Sequence, residues 1–339
     1  MCTSITIKSK SGDIFWGRTM DFSTSFFHAD DPLGYAPSSI VNIPAQKTIS
    51  LQSGDIKTSY ATMGVGLTGS AVLYDGINEA GLTGDLQVLF ETERDSDESL
   101  KDRGLTSVFG EEVVTYILTQ SKNVSEVKKL VATIGLTDEP LQVAGKPMQV
   151  PLHYAFVDPS GDSIVIEATD KGAFKVYDNV GVMTNSPEYN YHTVNIRNYI
   201  SLDNINKNDH KLGEDLEIKN IENGTGYRLF GMPGDYTSPS RFVRSTLVSK
   251  NIKPFETSAG ITTLYNVFKP VMIPAGLSLS PENKAVSDYT QYWAGFDLSA
   301  RKIYVQDHAC PTMTSKTIDL KSDEITYTPV SLDFTPVEA

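Results

Sequence analysis

Cys2 stands directly behind Met1. A methionine followed by so small a side chain is usually removed after synthesis, which would make Cys2 the N-terminus. Thiol and α-amine would then share one carbon, with ordinary pKa values of about 8.5 and roughly 7.7–8.0. A neutral amine can take the thiol proton, directly or through water, so nucleophile and base come in one residue. Arg18 and Asp21 are the charged groups that complete such a site. An arginine near the sulfur favours thiolate, and a carboxylate holds the amine by a charge-assisted hydrogen bond. Read alone, Cys2 is as readily an inert buried thiol, and Arg18 with Asp21 a surface ion pair after a strand.

The elements around these residues bring them together. Thr3, Ile5 and Ile7 alternate with Ser4, Thr6 and Lys8, the period of a half-buried strand. Ser11-Gly12-Asp13 supplies a turn, and Ile14-Phe15-Trp16-Gly17 returns as a second strand. A hairpin closes its two ends on each other, so Arg18 and Asp21 fall beside Cys2. The stretch from Phe22 to Ser50 then reads as irregular, broken by Pro32, Gly34, Pro37 and Pro44. Leaving directly from the hairpin, it is expected to form a loop over the pocket, with Phe26 and Phe27 as substrate contacts.

Strands are expected at Thr58–Val65, Ser70–Leu73 and Leu82–Phe90, with Asp75-Gly76 and Glu79-Ala80-Gly81 as turn punctuation. Amphipathic spacing predicts a helix over Gly110–Leu118. Asn123, with Glu126 three residues on, opens another that runs toward Gly135. Leu152–Val157 and Ser163–Glu167 form a hairpin, extended by Phe174–Tyr177, and Val182-Met183-Thr184 leads into Asn185. Residues 190–226 turn polar. Helices follow near 239–250 and 257–268, then strands at Tyr289–Phe296, Lys302–Gln306 and Lys316–Leu320. Strands, helices, strands, helices, strands suit two antiparallel sheets covered by helices in one α+β domain spanning 1–339.

Of 339 residues, 40% are hydrophobic and 21% charged, the composition of an ordinary globular chain with a substantial core. A formal charge of −13 argues against nucleic acid and anionic membrane as partners. Two cysteines, Cys2 and Cys310, are no disulfide framework and suit a reducing compartment. The first residues lack the apolar run of a signal peptide, no stretch approaches a membrane span, and the expected location is cytoplasmic. The five histidines show no ligand spacing; His308 near Cys310 reads as structural, no metal is expected, and no phosphate-binding glycine loop or Gly-x-Ser-x-Gly elbow is present.

Met1-Cys2-Thr3-Ser4-Ile5-Thr6 and Gly17-Arg18-Thr19-Met20-Asp21 together resemble the choloylglycine hydrolase family of N-terminal-nucleophile (Ntn) hydrolases, which includes bile salt hydrolases and penicillin V acylases. Asp75–Leu82, Val182–Pro187, Gly234–Arg244 and Tyr292-Trp293 agree with it in the family's order. The resemblance implies a four-layer αββα sandwich and a cofactor-free hydrolase of linear amides. It places Cys2, Arg18, Asp21, Asn185 and Arg241 in the catalytic set; read alone, Asn185 is a turn asparagine and Arg241 a helix-surface arginine. Arg244, one turn further, is expected on the surface. The family's bile salt hydrolases carry an asparagine where this chain has Val88, beside Gln87. Both are expected to line the substrate site, with a backbone N–H or a neighbouring residue replacing the missing amide donor. Val88 tilts the reading toward penicillin V, with glycine- or taurine-conjugated bile salts as the alternative and a non-catalytic binder of amphipathic ligands as the rival from another class. Ser186 replaces a second asparagine common in the family. The resemblance also implies a homotetramer, with residues 190–226 used in assembly.

Overall fold

The computed structural model of the protein describes residues 1–143, 145–206, 209–221 and 226–334. Six strands form an antiparallel sheet in the order Val182–Met183, Cys2–Lys8, Ile14–Phe22, Tyr289–Asp297, Lys302–Asp307, Thr314–Thr317. Ten more form a second sheet, whose centre runs Ser38–Ile43, Thr62–Leu67, Asp75–Asn78, Thr83–Val88, Leu152–Val157, Ser163–Asp170. One pairing at its edge, Ile134–Leu136 with Thr106–Val108, is parallel. The helices Val113–Gln120 and Val124–Val131 lie between these two strands in sequence, and a parallel pair needs such a crossover. Apart from this edge pair, the pairings described in the two sheets are antiparallel, as expected.

The period-2 alternation of the first strands now has a spatial meaning. Trp16 and Met20 face the larger sheet and pack with Ile40, Met63, Val65, Ile77, Tyr292 and Phe296 between the sheets. Ile5, Ile7 and Phe15 face the other way, under Phe242, Leu264, Val267 and Phe268 of the helices Ser238–Lys250 and Gly260–Phe268. Val113, Ile117, Leu118 and Val127 close the opposite surface over Leu86, Tyr154, Phe156 and Ile166. The layers are therefore helix, sheet, sheet, helix. Each fully buried large apolar side chain contributes about 1.5–3 kcal/mol.

Several local expectations are corrected. Residues 22–50 are not irregular throughout: Ser38–Ile43 is a fully buried strand, which Pro37 and Pro44 bracket rather than break. Ser70–Leu73 forms only an isolated bridge from Leu73 to Gly66, and Asp75-Gly76, read as turn punctuation, opens the buried strand Asp75–Asn78. It sits so close to its neighbour that a Cβ on Gly64 would lie 1.8 Å from the Asp75 carbonyl oxygen. The Asn123-capped helix ends at Val131, because Ile134–Leu136 is taken by the sheet. The last expected strand begins and ends earlier, at Thr314–Thr317. Within 190–226 the described residues include the helix Tyr189–Asn195 and an exposed hairpin, Asp209–Leu212 with Leu216–Lys219. Arg244 is not on the surface. It is 4% exposed, stacks over Tyr236, and donates to the carbonyls of Pro233, Asp235 and Pro270, bracing the loop that leads into its helix.

Candidate active site

Strand pairing puts Cys2 opposite Met20 and Ser4 opposite Arg18. The second strand continues to Phe22, so Arg18 and Asp21 lie within it rather than after it. Separated by an odd number of residues, they point to opposite faces. Arg18 points between the sheets with the Cys2 sulfur, and its Nη2 donates to Cys2 Sγ at 2.9 Å. Asp21 points toward the helices. Its carboxylate accepts from Thr290 Oγ1 at 2.6 Å and Thr19 Oγ1 at 3.1 Å.

The larger sheet supplies the counter-charges. Arg18 Nη1 lies 3.5 Å from Asp75 Oδ2, and Nε 3.8 Å from Asp85 Oδ2, with all three side chains inaccessible to solvent. Tyr292 donates its hydroxyl to Asp75 at 2.8 Å, and Gln87 Nε2 donates to Asp85 at 2.8 Å. Burial pushes Asp75 up from the ordinary carboxylate range, against the pull of Arg18. Asp85 is pushed up by burial to about 6. Burial opposes the charge of Arg18, but Cys2, Tyr292, Asp85 and Asp75 outweigh it and the guanidinium is held more firmly protonated. A buried cation of this kind is tolerable only when paired.

The helix side organises the Cys2 backbone. Asn185, at the end of the Val182–Met183 strand, accepts the Cys2 N–H on Oδ1 at 2.7 Å and an Arg241 Nη2 hydrogen at 2.8 Å. Its Nδ2 donates to the Val88 carbonyl at 2.9 Å. Arg241, in the first turn of its helix, also donates to Thr3 Oγ1 at 2.6 Å and to the Cys2 carbonyl. Burial lowers the Arg241 pKa, with Asp21 and Cys2 opposing; burial raises that of Asp21, with Arg241 and the terminal amine opposing. Met1 extends the first strand, its carbonyl accepting the Asp21 N–H at 2.8 Å and its amine donating to the Asp21 carbonyl.

Cys2, Arg18, Asn185 and Arg241 thus meet in one hydrogen-bonded cluster, with Asp21 behind it on the helix side. Val88 joins through its carbonyl. Gln87 is turned to Asp85 and buried. Phe26 is 6% exposed and edge-packed on Tyr74 and Tyr292, a core position; Phe27 is half-buried against Tyr292. His153 pairs with Glu167 at 2.9 Å, and the Cys2 sulfur has Arg18 as its hydrogen-bond partner, so neither His153 nor His192 is needed to explain the thiol.

Residues that sequence reasoning left out also belong here. Asp75 was hidden in a dipeptide that resembles a turn. Asp85, two residues before the Gln87 already singled out, alternates with Leu86 and Val88, a signal of a polar strand face that has no meaning until both faces are known to be covered. His192 Nε2 and Ser238 Oγ each hold the Asn185 carbonyl at 2.8 Å, contacts no spacing announces. Phe90, two residues beyond Val88, is 80% exposed, and its N–H donates to Ser186 Oγ at 2.8 Å.

A model of the linear amide C–N hydrolases, choloylglycine hydrolase family, matches residues 2–328. A bile salt hydrolase/transferase of Clostridium perfringens is 31% identical over 303 residues, covering 86% of this chain and 84% of its own. A penicillin V acylase of Pectobacterium atrosepticum is 25% identical over 229 residues, 63% of this chain and 54% of its own. Among solved structures, a conjugated bile acid hydrolase from Clostridium perfringens matches with a TM-score of 0.87 at 25% identity, over 100% of this chain and 99% of its own. Penicillin V acylase from Agrobacterium tumefaciens shares the fold, with a TM-score of 0.68 at 18% identity, over 93% and 85%. The helix-sheet-sheet-helix sandwich is that of the Ntn hydrolases, and the chain is an amide hydrolase belonging to the choloylglycine hydrolase family.

Proposed function

We propose that the chain cleaves the linear amide of an amphipathic N-acyl conjugate, with Cys2 as nucleophile once Met1 has been removed. The observation that carries this reading is the junction at Cys2: sulfur on Arg18, backbone nitrogen on Asn185. The thiol proton passes to the freed α-amine and Sγ attacks the carbonyl carbon. The tetrahedral intermediate collapses as the amine leaves with that proton, giving a thioester. Water then attacks, its proton returning through the same amine, and the acid is released with the thiol restored.

Arg18 favours the thiolate and Arg241 fixes Asn185 and the Cys2 carbonyl; the Asp21 carboxylate sets the charge balance behind Arg241. Asn185 Nδ2 has a second hydrogen for the oxyanion. Val88 supplies the other donor from its backbone. Leu89 N–H points to Pro151 and Leu86 N–H to Tyr74, so strand alternation turns the Val88 N–H to the Tyr74 side, beyond the start of the Asp75–Asn78 strand. Two donors aimed at one oxygen are worth several kcal/mol in the transition state. The asparagine missing at position 88 is therefore dispensable.

The preferred substrates are therefore conjugated bile acids, as acted on by the relatives of higher identity and coverage. Penicillin V is the second reading, favoured by the apolar Val88 side chain. Phe27 and exposed Phe90 suit a hydrophobic acyl group. Glycocholate, taurocholate and penicillin V offered side by side, with Cys2→Ala as blank, test it. Release of glycine or taurine is expected to lead; preferred release of phenoxyacetate would reverse the order, and no turnover by the Met1-free chain would favour the ligand-binding rival.

The same reading treats the chain as one cytoplasmic domain that assembles as a homotetramer. Supporting it, the N-terminal hairpin and the Tyr289–Asp297 strand share a sheet, both cysteines are free, and among the described residues no helix is long and apolar enough to cross a membrane. Ile200, Leu216 and Phe230, at 92%, 54% and 90% exposed, offer apolar surface for assembly around residues 190–226.

A further inference from the structure

His28, Asp307 and His308 show no ligand spacing in the sequence, yet the fold gathers them. His28 belongs to the segment that leaves the nucleophile hairpin, while Asp307 ends the Lys302–Asp307 strand and His308 follows it. His28 Nε2 lies 3.0 and 3.1 Å from the two oxygens of Asp307, and His308 Nδ1 lies 3.6 Å from Oδ2. All three donor atoms fall within 4.8 Å of one another. The Asp307 side chain is 2% exposed, against 26% and 29% for the two histidines.

A hydrogen-bonded His–Asp–His cluster is the simpler account, and two details go beyond it. Nε2 is almost equidistant from both carboxylate oxygens, so it faces the carboxylate as a whole rather than one oxygen. Second, the carboxylate is oriented from behind by the Ala309 N–H at 2.8 Å, the kind of support that fixes a ligating carboxylate. Two donors each about 2.0–2.2 Å from one tetrahedral ion stand roughly 3.3–3.5 Å apart, and the His28–Asp307 and Asp307–His308 separations of 3.0 and 3.6 Å lie on either side of that range. Beside the cluster opens a cavity of about 490 Å³ whose lining includes Asp307, His308, Tyr289 and Gln306.

We propose that His28, Asp307 and His308 bind one divalent cation of the Zn²⁺ class. Two imidazoles and a carboxylate are borderline donors that select such ions over Mg²⁺ or Ca²⁺. The cation takes no part in amide cleavage. It staples the segment carrying Phe26 and Phe27 to the strands that carry Tyr292, on which both rings pack at 5.7 and 5.5 Å. Ligands 279 residues apart in sequence are thereby tied across the fold, and binding stabilises the native state by mass action.

The test uses the full-length Cys2→Ala chain, so that the catalytic thiol cannot capture metal. After chelator treatment it is titrated with ZnCl₂ by calorimetry and with CoCl₂ by visible absorption. One equivalent of Zn²⁺ is expected to bind and to raise the thermal midpoint, and Co²⁺ to give d–d bands without thiolate charge transfer. His28→Gln, at a side chain 26% exposed and outside the core, should weaken binding by about 10–100-fold or more, as should Asp307→Asn. Absence of heat, of a visible band and of any thermal shift would overturn the proposal, and so would binding unchanged in His28→Gln and Asp307→Asn, which would place the metal elsewhere.

Discussion

Arg18 carries one positive charge into a site where Asp75, Asp85 and a Cys2 thiolate all compete for it. Ionising both aspartates overcompensates the guanidinium and disfavours the thiolate, so Asp85, pushed up by burial to about 6, is a natural control point. Asp85→Asn is expected to speed alkylation of the Cys2 thiol at neutral pH relative to the parent. An alkylation rate unchanged or slower in the variant would remove Asp85 from that role. The same group has a stability consequence. Its folded pKa exceeds the unfolded value of 3.8, so its favourable contribution is complete below about 4 and is lost as pH rises through about 6. Urea denaturation of Asp85→Asn should therefore compare more favourably with the parent at pH 7.5 than at pH 4, by on the order of 2–3 kcal/mol. Arg18→Gln, which leaves two buried carboxylates without their cation, should cost about 3–5 kcal/mol by the same measurement.

Among the elements, the nucleophile hairpin was legible because alternation, turn and return all fall within twenty-two residues. The Asn123 cap was legible for the same local reason, and Asn123 Oδ1 does accept the Glu126 N–H at 2.9 Å. Asn123→Ala should lower stability by about 1 kcal/mol in thermal unfolding. Illegible elements were those whose character depends on what packs against them. Ser38–Ile43 looked like loop between prolines, and Asp75–Asn78 like a turn, because a short buried strand has no periodicity to distinguish it. Gly64 marks that close approach: a Cβ there meets the Asp75 backbone at 1.8 Å. Gly64→Ala should displace the strand holding Asp75, destabilise the chain by several kcal/mol, and cost activity at a site it never touches. A variant with parent-like stability and turnover would show that the strand does not depend on this contact.

Over the whole molecule, the sheets explain why residues so far apart in sequence act together. Arg18 reaches across the inter-sheet layer to Asp75 and Asp85, while Asp21, three residues on, faces the helix that brings Arg241. No local pattern encodes which partner strand lies opposite, so Arg18 could be named from the sequence but not its counter-ions, and Arg244 was misplaced on the surface. Assembly belongs to this scale as well. Light scattering of the purified chain is expected to give a tetramer, and Phe230→Asp to shift it toward smaller species; a monomeric parent would contradict that part of the proposal.

Amide cleavage here depends on Cys2 as an N-terminal nucleophile, and intact-mass spectrometry of active protein during turnover tests that most directly. The expected result is a chain lacking Met1, carrying one substrate acyl group that fragmentation maps to Cys2. Full activity with Met1 retained, or an acyl group at any other residue, would contradict it.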